Sequence, residues 1–194
     1  MPGTLFTAGG VRAVELGAGD VALLQEFYER NPEYHLIVSG EHPRPNEAQE
    51  DFDQEIPDGW PYTRRWIAGF FDEQDDLAGV FDGISDLFAP GIWHIGLFMV
   101  ATQLHGRGTA QELYGALESW MRANGARWIR LGVVEGNARA ERFWERSGYV
   151  DVRKRLGYQI GKQVNTLRVM AKPLASGSFE DYLAIVARDR PETP

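Results

Sequence analysis

The sequence predicts a single α/β domain, built on a mixed central sheet of about six or seven strands with helices on both faces. Strand-like apolar runs alternate with segments of helical periodicity along most of the chain. One apolar run, residues 92–100, leads through a glycine-containing loop into an amphipathic helix. No internal repeat or low-complexity segment marks a second domain. We therefore place the domain in residues 1–174 and treat residues 175–194 as a C-terminal appendage.

Helix-capping residues and helix-breaking prolines mark the elements of the first half of the chain. We expect a strand at residues 11–16, and a helix that has Asp20 as its N-cap and ends at Arg30, before Asn31-Pro32. Residues 40–62 are acidic and interrupted by prolines, so we expect loops around one short helix at residues 47–54. Two β-rich runs, residues 63–71 and 77–87, flank an acidic turn and predict an antiparallel hairpin.

The second half begins with the strand at residues 92–100, which follows a Pro-Gly turn. The helix after it has apolar residues at helical spacing from Ala110 to Met121, and Asn124-Gly125 predicts a left-handed cap. A strand at residues 127–134 follows. Two more strands around a turn at residues 157–161 close the sheet, and the appendage contains a short helix at residues 179–187.

Composition excludes several classes of protein. The chain has 194 residues, of which 43% are hydrophobic and 25% are charged, as in ordinary globular domains. Since it has no cysteine, disulfides, cysteine nucleophiles and thiolate metal sites are excluded, and we expect no metal. No apolar run approaches a membrane span, and no signal peptide is evident, so we expect a cytoplasmic location and no membrane partner. The net charge of −8 argues against nucleic-acid binding.

The loop after residue 100 has the features of an anion site. Gly106 and Gly108 let the backbone curl closely, and the loop delivers the chain to a helix N-terminus with unpaired N–H groups. A phosphate is the anion that such an end suits best. The loop fits neither the dinucleotide fingerprint, because Gln111 replaces the third glycine, nor the P-loop. A tight turn without a ligand is the alternative.

Two motifs in this part of the chain resemble those of the GNAT superfamily of acetyl-CoA-dependent N-acetyltransferases. The loop pattern Gln/Arg-x-x-Gly-x-Gly/Ala matches residues 103–108 strictly, and residues 105–110 with His105 in the first position. We prefer the second frame because it keeps the family spacing of five residues from Val100. A second family motif lies downstream, after the next strand. Its matching residues are Asn137, Ala140, Phe143, Gly148 and Tyr149.

The resemblance implies a binding mode for acetyl-CoA as co-substrate. The strand with residues 92–100 would diverge from the strand with residues 127–134, and the cofactor arm would enter between them. Asn137 is either a helix N-cap or a contact to this arm, and the two roles are compatible. The backbone of Phe98, Met99 and Val100 would pair with pantetheine. The pyrophosphate would be held by His105, Gly106, Arg107, Gly108, Thr109 and Ala110.

The catalytic residues are predicted less directly. His94 occupies a position comparable to the base of histone-type family members and could accept a proton. A structural histidine is the alternative, and Glu135, Asp82, Asp86 or an ordered water chain are rival bases. Trp144 stands where many family members have a tyrosine that protonates the leaving thiolate. An indole can donate a hydrogen bond or pack against the cofactor, but it is not a useful acid at neutral pH.

The resemblance implies an acyltransferase that moves an acetyl group to a primary amine of a small molecule or peptide. The alternatives are a catalytically degenerate CoA-binding domain that acts as a sensor or interaction module, and an unrelated α/β domain that binds no cofactor. Family members are often dimers, so a homodimer through the C-terminal hairpin or tail is a further expectation. The candidate acceptor contacts are Tyr34, His35, Trp60 and Tyr62, which could instead only cover the core edge.

Overall fold

The computed structural model describes residues 3–191, so residues 192–194 of the predicted appendage lie outside the described residues. The described residues form one eight-stranded sheet in the order β1-β2-β3-β4-β5-β6-β8-β7. The strands are β1 (Thr4–Ala8), β2 (Val11–Glu15), β3 (Arg64–Phe71), β4 (Leu77–Ser85), β5 (Ile92–Val100), β6 (Trp128–Val134), β7 (Val150–Ile160) and β8 (Gln163–Pro173). The helices are α1 (Val21–Arg30), α2 (Glu33–Val38), α3 (Glu47–Asp53), α4 (Thr109–Ala123), α5 (Ala138–Arg146) and α6 (Phe179–Ile185).

The centre of the sheet contains a parallel pair, β5 and β6, whose pairing is short. It runs from Ile92 opposite Trp128 to Ile95 opposite Leu131 and stops there, although both strands continue. The other neighbouring strands pair antiparallel. The two central strands therefore diverge at their carboxyl ends and open a wedge, as the family resemblance implied.

A β-bulge in β5 lies at the start of this wedge. Asp82 pairs with Leu97 while Gly83 pairs with Ile95, so Gly96 is left without an opposite residue on β4. The extra residue reverses the inward and outward alternation along the strand. Ile92 and His94 before the bulge therefore share a face with Leu97 and Met99 after it.

Helices cover both faces of the sheet, as predicted. On the first face, α4 and α5 pack on a core that contains Trp93, Ile95 and Leu131. On the second face, α1, α2 and α3 pack on one apolar cluster around Met99, and α6 packs on another around Ile92.

The segment after residue 174 is packed against the domain. Tyr182 and Val186 contact Ile92 and Trp128 on the second face and are almost fully buried. Asp189, in a short 3-10 turn, is completely buried. The predicted helix in this segment is confirmed as α6, while the division of the chain at residue 174 stays a prediction.

The sheet has eight strands rather than the six or seven predicted, because β1 was missed. It forms a hairpin with β2 through Gly9 and Gly10, which both have positive φ angles (54° and 79°). Two successive residues in this conformation make the tight turn that suits a two-residue hairpin, and Gly-Gly was its signal in the sequence. The helix α2 was also missed, since Pro32 appeared as the end of a helix although it also starts the next one.

One local prediction is confirmed and another is wrong. Asp20 is the N-cap residue of α1, as predicted, although its carboxylate accepts a hydrogen bond from the N–H of Gly17 (2.8 Å) rather than from an N–H of the helix. The last hairpin turns at residues 161–162 rather than at 157–161, because β7 continues through Gly157 with an irregularity in register. Within residues 3–191, no helix is both long and apolar enough to cross a membrane.

Candidate active site

The glycine loop leads directly into α4. Gly106 and Gly108 have φ angles of 75° and 85°, which favour glycine, and a Cβ built on either would meet no other atom within 4 Å. The N–H groups of Gln111 and Glu112 donate to the carbonyl of Gly108 (3.0 and 3.1 Å). Those of residues 106–110 have no acceptor within the described chain. The loop therefore presents a row of unpaired donors at the positive end of a helix.

His105 fixes the loop in place. Its Nε2 lies 2.9 Å from the carbonyl oxygen of Val100, and its Nδ1 lies 2.7 Å from a guanidinium nitrogen of Arg139. Because the carbonyl can only accept, Nε2 carries the proton, and Nδ1 accepts from Arg139. Through these two contacts the imidazole links the end of β5, the loop and α5. Positive charge beside the loop comes from arginines.

A cavity of about 490 Å³ lies between this loop, the end of β5, α5 and the turn between α1 and α2. Its wall combines apolar side chains with backbone groups, as in a site for an elongated ligand. The predicted residues that line it are Tyr34, Phe98, Met99, Val100, His105, Gly106, Gly108, Ala110, Asn137 and Trp144. The predicted residues outside its wall are His35, Trp60, Tyr62, His94, Arg107, Thr109 and Glu135.

Three arginines of α5 line the same cavity, and the sequence prediction missed them. Arg139, Arg142 and Arg146 are spaced by three and four residues, so they share one side of the helix. Together with the loop they give the mouth of the cavity a positive character that suits phosphate groups. The helical spacing of the three arginines after Asn137 was the signal that could have found them.

The turn between α1 and α2 is tied to the residues after β5. The side-chain oxygen of Asn31 accepts from the N–H of Thr102 (2.7 Å), and the hydroxyl of Thr102 donates to the carboxylate of Glu33. This hydrogen bond lowers the pKa of Glu33, and the nearby charge of Arg139 adds to the effect. Helix α2 is thereby held at the edge of the cavity.

The wedge between β5 and β6 has a floor without side chains. Gly96 and Gly132 are the first residues beyond the last parallel pair, and both are exposed although they lie on central strands. A Cβ built at Gly96 would lie 3.8 Å from the carboxylate of Asp82. Asp82 therefore borders the opening where a thioester in the wedge would meet an acceptor.

A second carboxylate lies near Asp82. Asp82 itself forms an ion pair with Arg65, at 2.6 and 3.2 Å, and both side chains are largely buried. Asp51, from α3, accepts a hydrogen bond from the hydroxyl of Tyr28 (2.7 Å). Burial, together with the charges of Asp82 and Glu47, raises the pKa of Asp51 to about 6. Asp51 can therefore exchange a proton near neutral pH, and nothing in its acidic stretch distinguished it in the sequence.

His94 and Glu135, the first two predicted bases, are placed differently. The Nδ1 of His94 lies 3.2 Å from both the carbonyl oxygen and a guanidinium nitrogen of Arg130. Burial and the charge of Arg130 lower the pKa of His94 to about 3, so the imidazole is neutral at physiological pH and binds a proton weakly. Glu135 is half-exposed at the end of β6 and forms an ion pair with Lys154.

Trp144 is buried in an aromatic cluster at the inner end of the cavity. Its ring packs against Phe98, Tyr114, Phe143 and Tyr149, with centroids 4.9 to 5.9 Å apart. The indole N–H has no hydrogen-bond partner within residues 3–191, although the side chain lines the cavity. It is therefore available to a ligand.

The four predicted acceptor contacts do not form one group. Tyr34 lines the cavity and lies near Asp51 and Asp82, whose charges contribute to its raised pKa after the larger effect of burial. His35 is buried between the rings of Tyr28 and Tyr34, at 4.9 and 5.3 Å.

The other two contacts lie further along the second face. Trp60 packs against Phe88 (5.0 Å) and under the guanidinium of Arg188 (3.8 Å). Tyr62 is half-exposed. Within the described chain, no group of three or more His, Cys, Asp or Glu side chains is arranged to hold a metal ion.

Solved structures with this fold come from several acetyltransferases. An acetyltransferase from Thermus thermophilus matches with a TM-score of 0.67 and 21% identity, over 89% of this chain and 100% of that one. A spermidine N-acetyltransferase from Vibrio cholerae, solved with CoA and spermine, matches with 0.64 and 18%, over 90% and 98%. The ribosomal-protein-S18-alanine N-acetyltransferase from Escherichia coli matches with 0.62 and 14%, over 87% and 96%.

At these identities the structural matches establish the fold. No curated protein sequence is significantly similar to the chain. The sequence of residues 23–149, about two thirds of the chain, matches the Acetyltransferase (GNAT) family. This match includes both motifs, the glycine loop and the segment that begins at Asn137. The protein belongs to the GNAT acetyltransferase family.

Proposed function

We propose that the protein transfers an acetyl group from acetyl-CoA to a primary amine of a small molecule or peptide. The observation that carries this proposal is the row of unpaired N–H groups at residues 106–110, which opens into a cavity beside the wedge. An elongated ligand with phosphates at one end and a thioester at the other fits this arrangement. Acetyl-CoA supplies the activated acyl group when it is bound.

Residues of this chain are available to bind each part of the cofactor. Backbone donors of the loop hold the pyrophosphate, and Arg107 with the arginines of α5 adds charge. On the side of β6, the end of β5 has no paired strand beyond the last parallel pair, so on that side the backbone of residues 98–100 pairs with the amide groups of the arm. Asn137 caps α5 by accepting from the N–H of Ala140 (3.3 Å), and its amide NH₂ remains for the arm.

The acceptor amine enters from the second face, beside Asp82. Asp51 and Asp82 are two carboxylates beside one paired arginine, Arg65, so this point attracts an ammonium, but attack requires the neutral amine. Asp51 has the proton affinity for this exchange, directly or through water, whereas the low pKa of His94 makes it a poor acceptor. The C–N bond forms as the C–S bond breaks, and the amine proton passes to the carboxylate or to water.

We assign to Trp144 the stabilisation of the leaving sulfur. Its indole N–H is a donor without a partner in the described chain, so it can bind the thiolate by a hydrogen bond while solvent provides the proton. The same tryptophan favours the alternative function, a domain that binds CoA without turnover, because a tryptophan cannot serve as the dedicated acid at this position. A cytoplasmic location and a homodimer remain predictions.

The structural neighbours indicate only broadly which acceptors this fold can use. One of them acts on spermidine and another on the alanine of a ribosomal protein, so the fold serves both small amines and peptides. For this chain, both kinds of primary amine stand as proposed acceptors.

The test is thermal unfolding with and without acetyl-CoA, followed by a thiol-release assay over a panel of amines. A ligand at a hundred times its dissociation constant stabilises a protein by about 2.7 kcal/mol, which gives a measurable rise in melting temperature. A rise with amine-dependent thiol release is expected. A rise without release from any amine would favour the binding-only domain, and no rise at saturating cofactor would overturn the proposal.

A further inference from the structure

Three arginines lie near one another and near one carboxylate on the second face of the sheet. We call them the arginine cluster: Arg130 on β6, Arg155 on β7, and Arg188 in the 3-10 turn near the C-terminus. The carboxylate is that of Asp189, which is completely buried. Two guanidinium groups lie within salt-bridge distance of this single carboxylate and the third lies near them, which leaves an excess of positive charge in a partly buried place. Such an excess is costly unless an anion is present.

The carboxylate of Asp189 is already occupied. It accepts two parallel hydrogen bonds from Arg130 (2.9 and 3.0 Å) and a third from the hydroxyl of Tyr182 (2.6 Å). Arg155 lies 3.5 Å from an oxygen that Arg130 also uses. The bidentate pair neutralises Arg130, so Asp189 leaves Arg155 only weakly compensated.

Arg188 has no carboxylate within salt-bridge distance among residues 3–191. Its guanidinium lies over the rings of Trp60 and Phe88, at 3.8 and 4.7 Å. The Nε atoms of Arg155 and Arg188 are both buried without a hydrogen-bond acceptor in the described chain. Buried donors are nearly always satisfied, so this pair lacks an acceptor that a ligand could provide.

The electrostatics agree with the geometry. Burial, followed by the positive charges of Arg155 and Arg130, lowers the pKa of Arg188 to about 10. The pKa of Arg155 is lowered for the same reasons, first burial and then Arg130. An arginine that has enough negative partners has a raised pKa instead, as Arg65 does beside Asp82.

The cluster lies on the same face as the acceptor side of the wedge. His94 precedes Gly96 by two residues on β5, a rise of about 7 Å along a strand. His94 contacts Arg130, and Arg130 and Arg188 both lie over the ring of Phe88, at 5.3 and 4.7 Å. An acceptor that enters beside Asp82 therefore has the arginines further along the same face.

We propose that Arg155 and Arg188 bind an oxyanion, a carboxylate or phosphate group, on the acceptor molecule whose amine lies beside Asp82. The acceptor class is then an amine that carries a negative group, and a polyamine is disfavoured because it would meet the arginines. Trp60 supports this site by packing its ring against the guanidinium of Arg188. This inference rests on the proposed acetyl transfer for the role of the ligand, but the anion site itself can be measured without turnover.

The first experiment is calorimetric titration of the CoA-saturated protein with inorganic phosphate and, separately, with glutarate. Saturation with CoA fills the glycine loop, so that binding there does not contribute. We expect at least one of the two anions to bind, and Arg155→Gln and Arg188→Gln each to weaken it tenfold or more. Arg12→Gln is the matched control, because Arg12 pairs with Asp75 on the exposed surface.

Two further variants keep this experiment decisive. Arg188→Lys keeps the charge and should keep part of the binding, which separates loss of the anion site from loss of the fold. A melting curve with CoA verifies that each variant still binds the cofactor. Binding of neither anion to the parent protein, or equal binding by the Arg188→Gln variant and the parent, would overturn the proposal.

The second experiment compares acceptors that differ only in the anion. Thiol release is measured with β-alanine and with β-alaninamide, which present the same amine with and without a carboxylate. We expect kcat/KM to favour the acid by tenfold to a hundredfold, and Arg188→Gln to remove this preference. Equal rates for the two acceptors would contradict the anion site. If thiol is released from no amine, the proposed acetyl transfer fails instead, and the titration still decides whether the anion site exists.

Discussion

The two faces of the sheet reach their sites by different means. On the first face, the loop, β5 and α5 all come from residues 92–146, and the donors are mostly backbone N–H groups. On the second face, the polar groups are side chains from segments far apart: Asp51, Arg65, Asp82, Arg155 and Arg188. A site made by the backbone leaves a glycine pattern in a short stretch of sequence, whereas a site made by side chains depends on the whole fold.

The difference extends to energetics. The unpaired N–H groups of the loop cost the fold little stability, because the loop is open to water. The second face buries charges, so its residues shift each other's pKa values and depend on their partners. Changes on the second face should therefore cost stability, and changes in the loop should cost cofactor affinity.

The strongest test of this contrast is Asp189→Ala. Removing the carboxylate leaves Arg130 buried without its partner, which should lower the free energy of unfolding by about 3–5 kcal/mol. Glu26→Ala is the control, since Glu26 pairs with Arg30 on the exposed side of α1, and such pairs contribute less than about 1 kcal/mol. Urea unfolding at pH 7 measures both. Similar small losses would show that the second face does not depend on its buried charges.

A pH experiment on Asp51→Asn sharpens the comparison. The folded-state pKa of Asp51, about 6, lies above the unfolded value of 3.8, so the folded protein binds the proton more tightly. The protonated Asp51 therefore contributes to the free energy of unfolding. This contribution is fully present below pH 3.8 and is lost as the pH rises through about 6, with a maximum of about 3 kcal/mol. Asn cannot ionise and can still accept from Tyr28.

We therefore expect Asp51→Asn to be more stable than the parent at pH 8 and to lose this advantage at pH 4. Urea unfolding of both proteins at the two pH values gives the difference. In the thiol-release assay the same variant should be slow at every pH if Asp51 accepts the amine proton. A pH-independent difference in stability would show that the carboxylate is not raised above its ordinary pKa.

Gly108→Val tests the loop on the first face. A β-branched residue at a φ of 85° is strained, so the loop should shift and its donors should lose their common direction. We expect acetyl-CoA affinity to fall at least tenfold, about 1.4 kcal/mol, in calorimetry. Gly115→Ala is the control within α4, where a Cβ has room and should raise helix stability slightly. Unchanged affinity in the Gly108 variant would contradict the phosphate role of the loop.

The smallest effect is expected for Trp144→Phe. Phenylalanine keeps the aromatic packing with Tyr114 and Tyr149 but removes the N–H donor. If the indole binds the leaving thiolate, kcat should fall roughly tenfold while CoA affinity stays within a factor of about three, since one hydrogen bond to a charged group contributes about 1.5–3 kcal/mol. Equal losses in kcat and affinity would assign Trp144 to packing alone.

The sequence predicted the first face well for a physical reason. Glycines at positive φ, a valine-ended strand and an asparagine cap are each required locally, so Gly106, Gly108 and Asn137 could be found from short patterns. The Gly9-Gly10 hairpin carried an equally local signal and was simply missed. The arginines of α5 were visible as a helical spacing, but their direction depends on how α5 packs.

The second face could not be predicted in the same way. Asp51 lies among many acidic residues, and only burial beside Tyr28 gives it a pKa near neutrality. Arg130 and Asp189 are 59 residues apart, and nothing in either neighbourhood indicates that they pair. His94 occupies the position that the family resemblance predicts for a base. Its proton affinity, however, depends on Arg130, which only the three-dimensional structure places beside it.

The bulge at Gly96 reverses, halfway along β5, which residues point to each face of the sheet. Up to Ile95 the odd-numbered residues point to the first face, and beyond Gly96 the even-numbered residues do. A regular strand that included Gly96 in the pairing would instead turn Phe98 and Val100 to the acceptor side, and Leu97 and Met99 to the first face. One unpaired glycine thus decides which side chains the cofactor end of the strand presents to each face, although it has no side chain of its own.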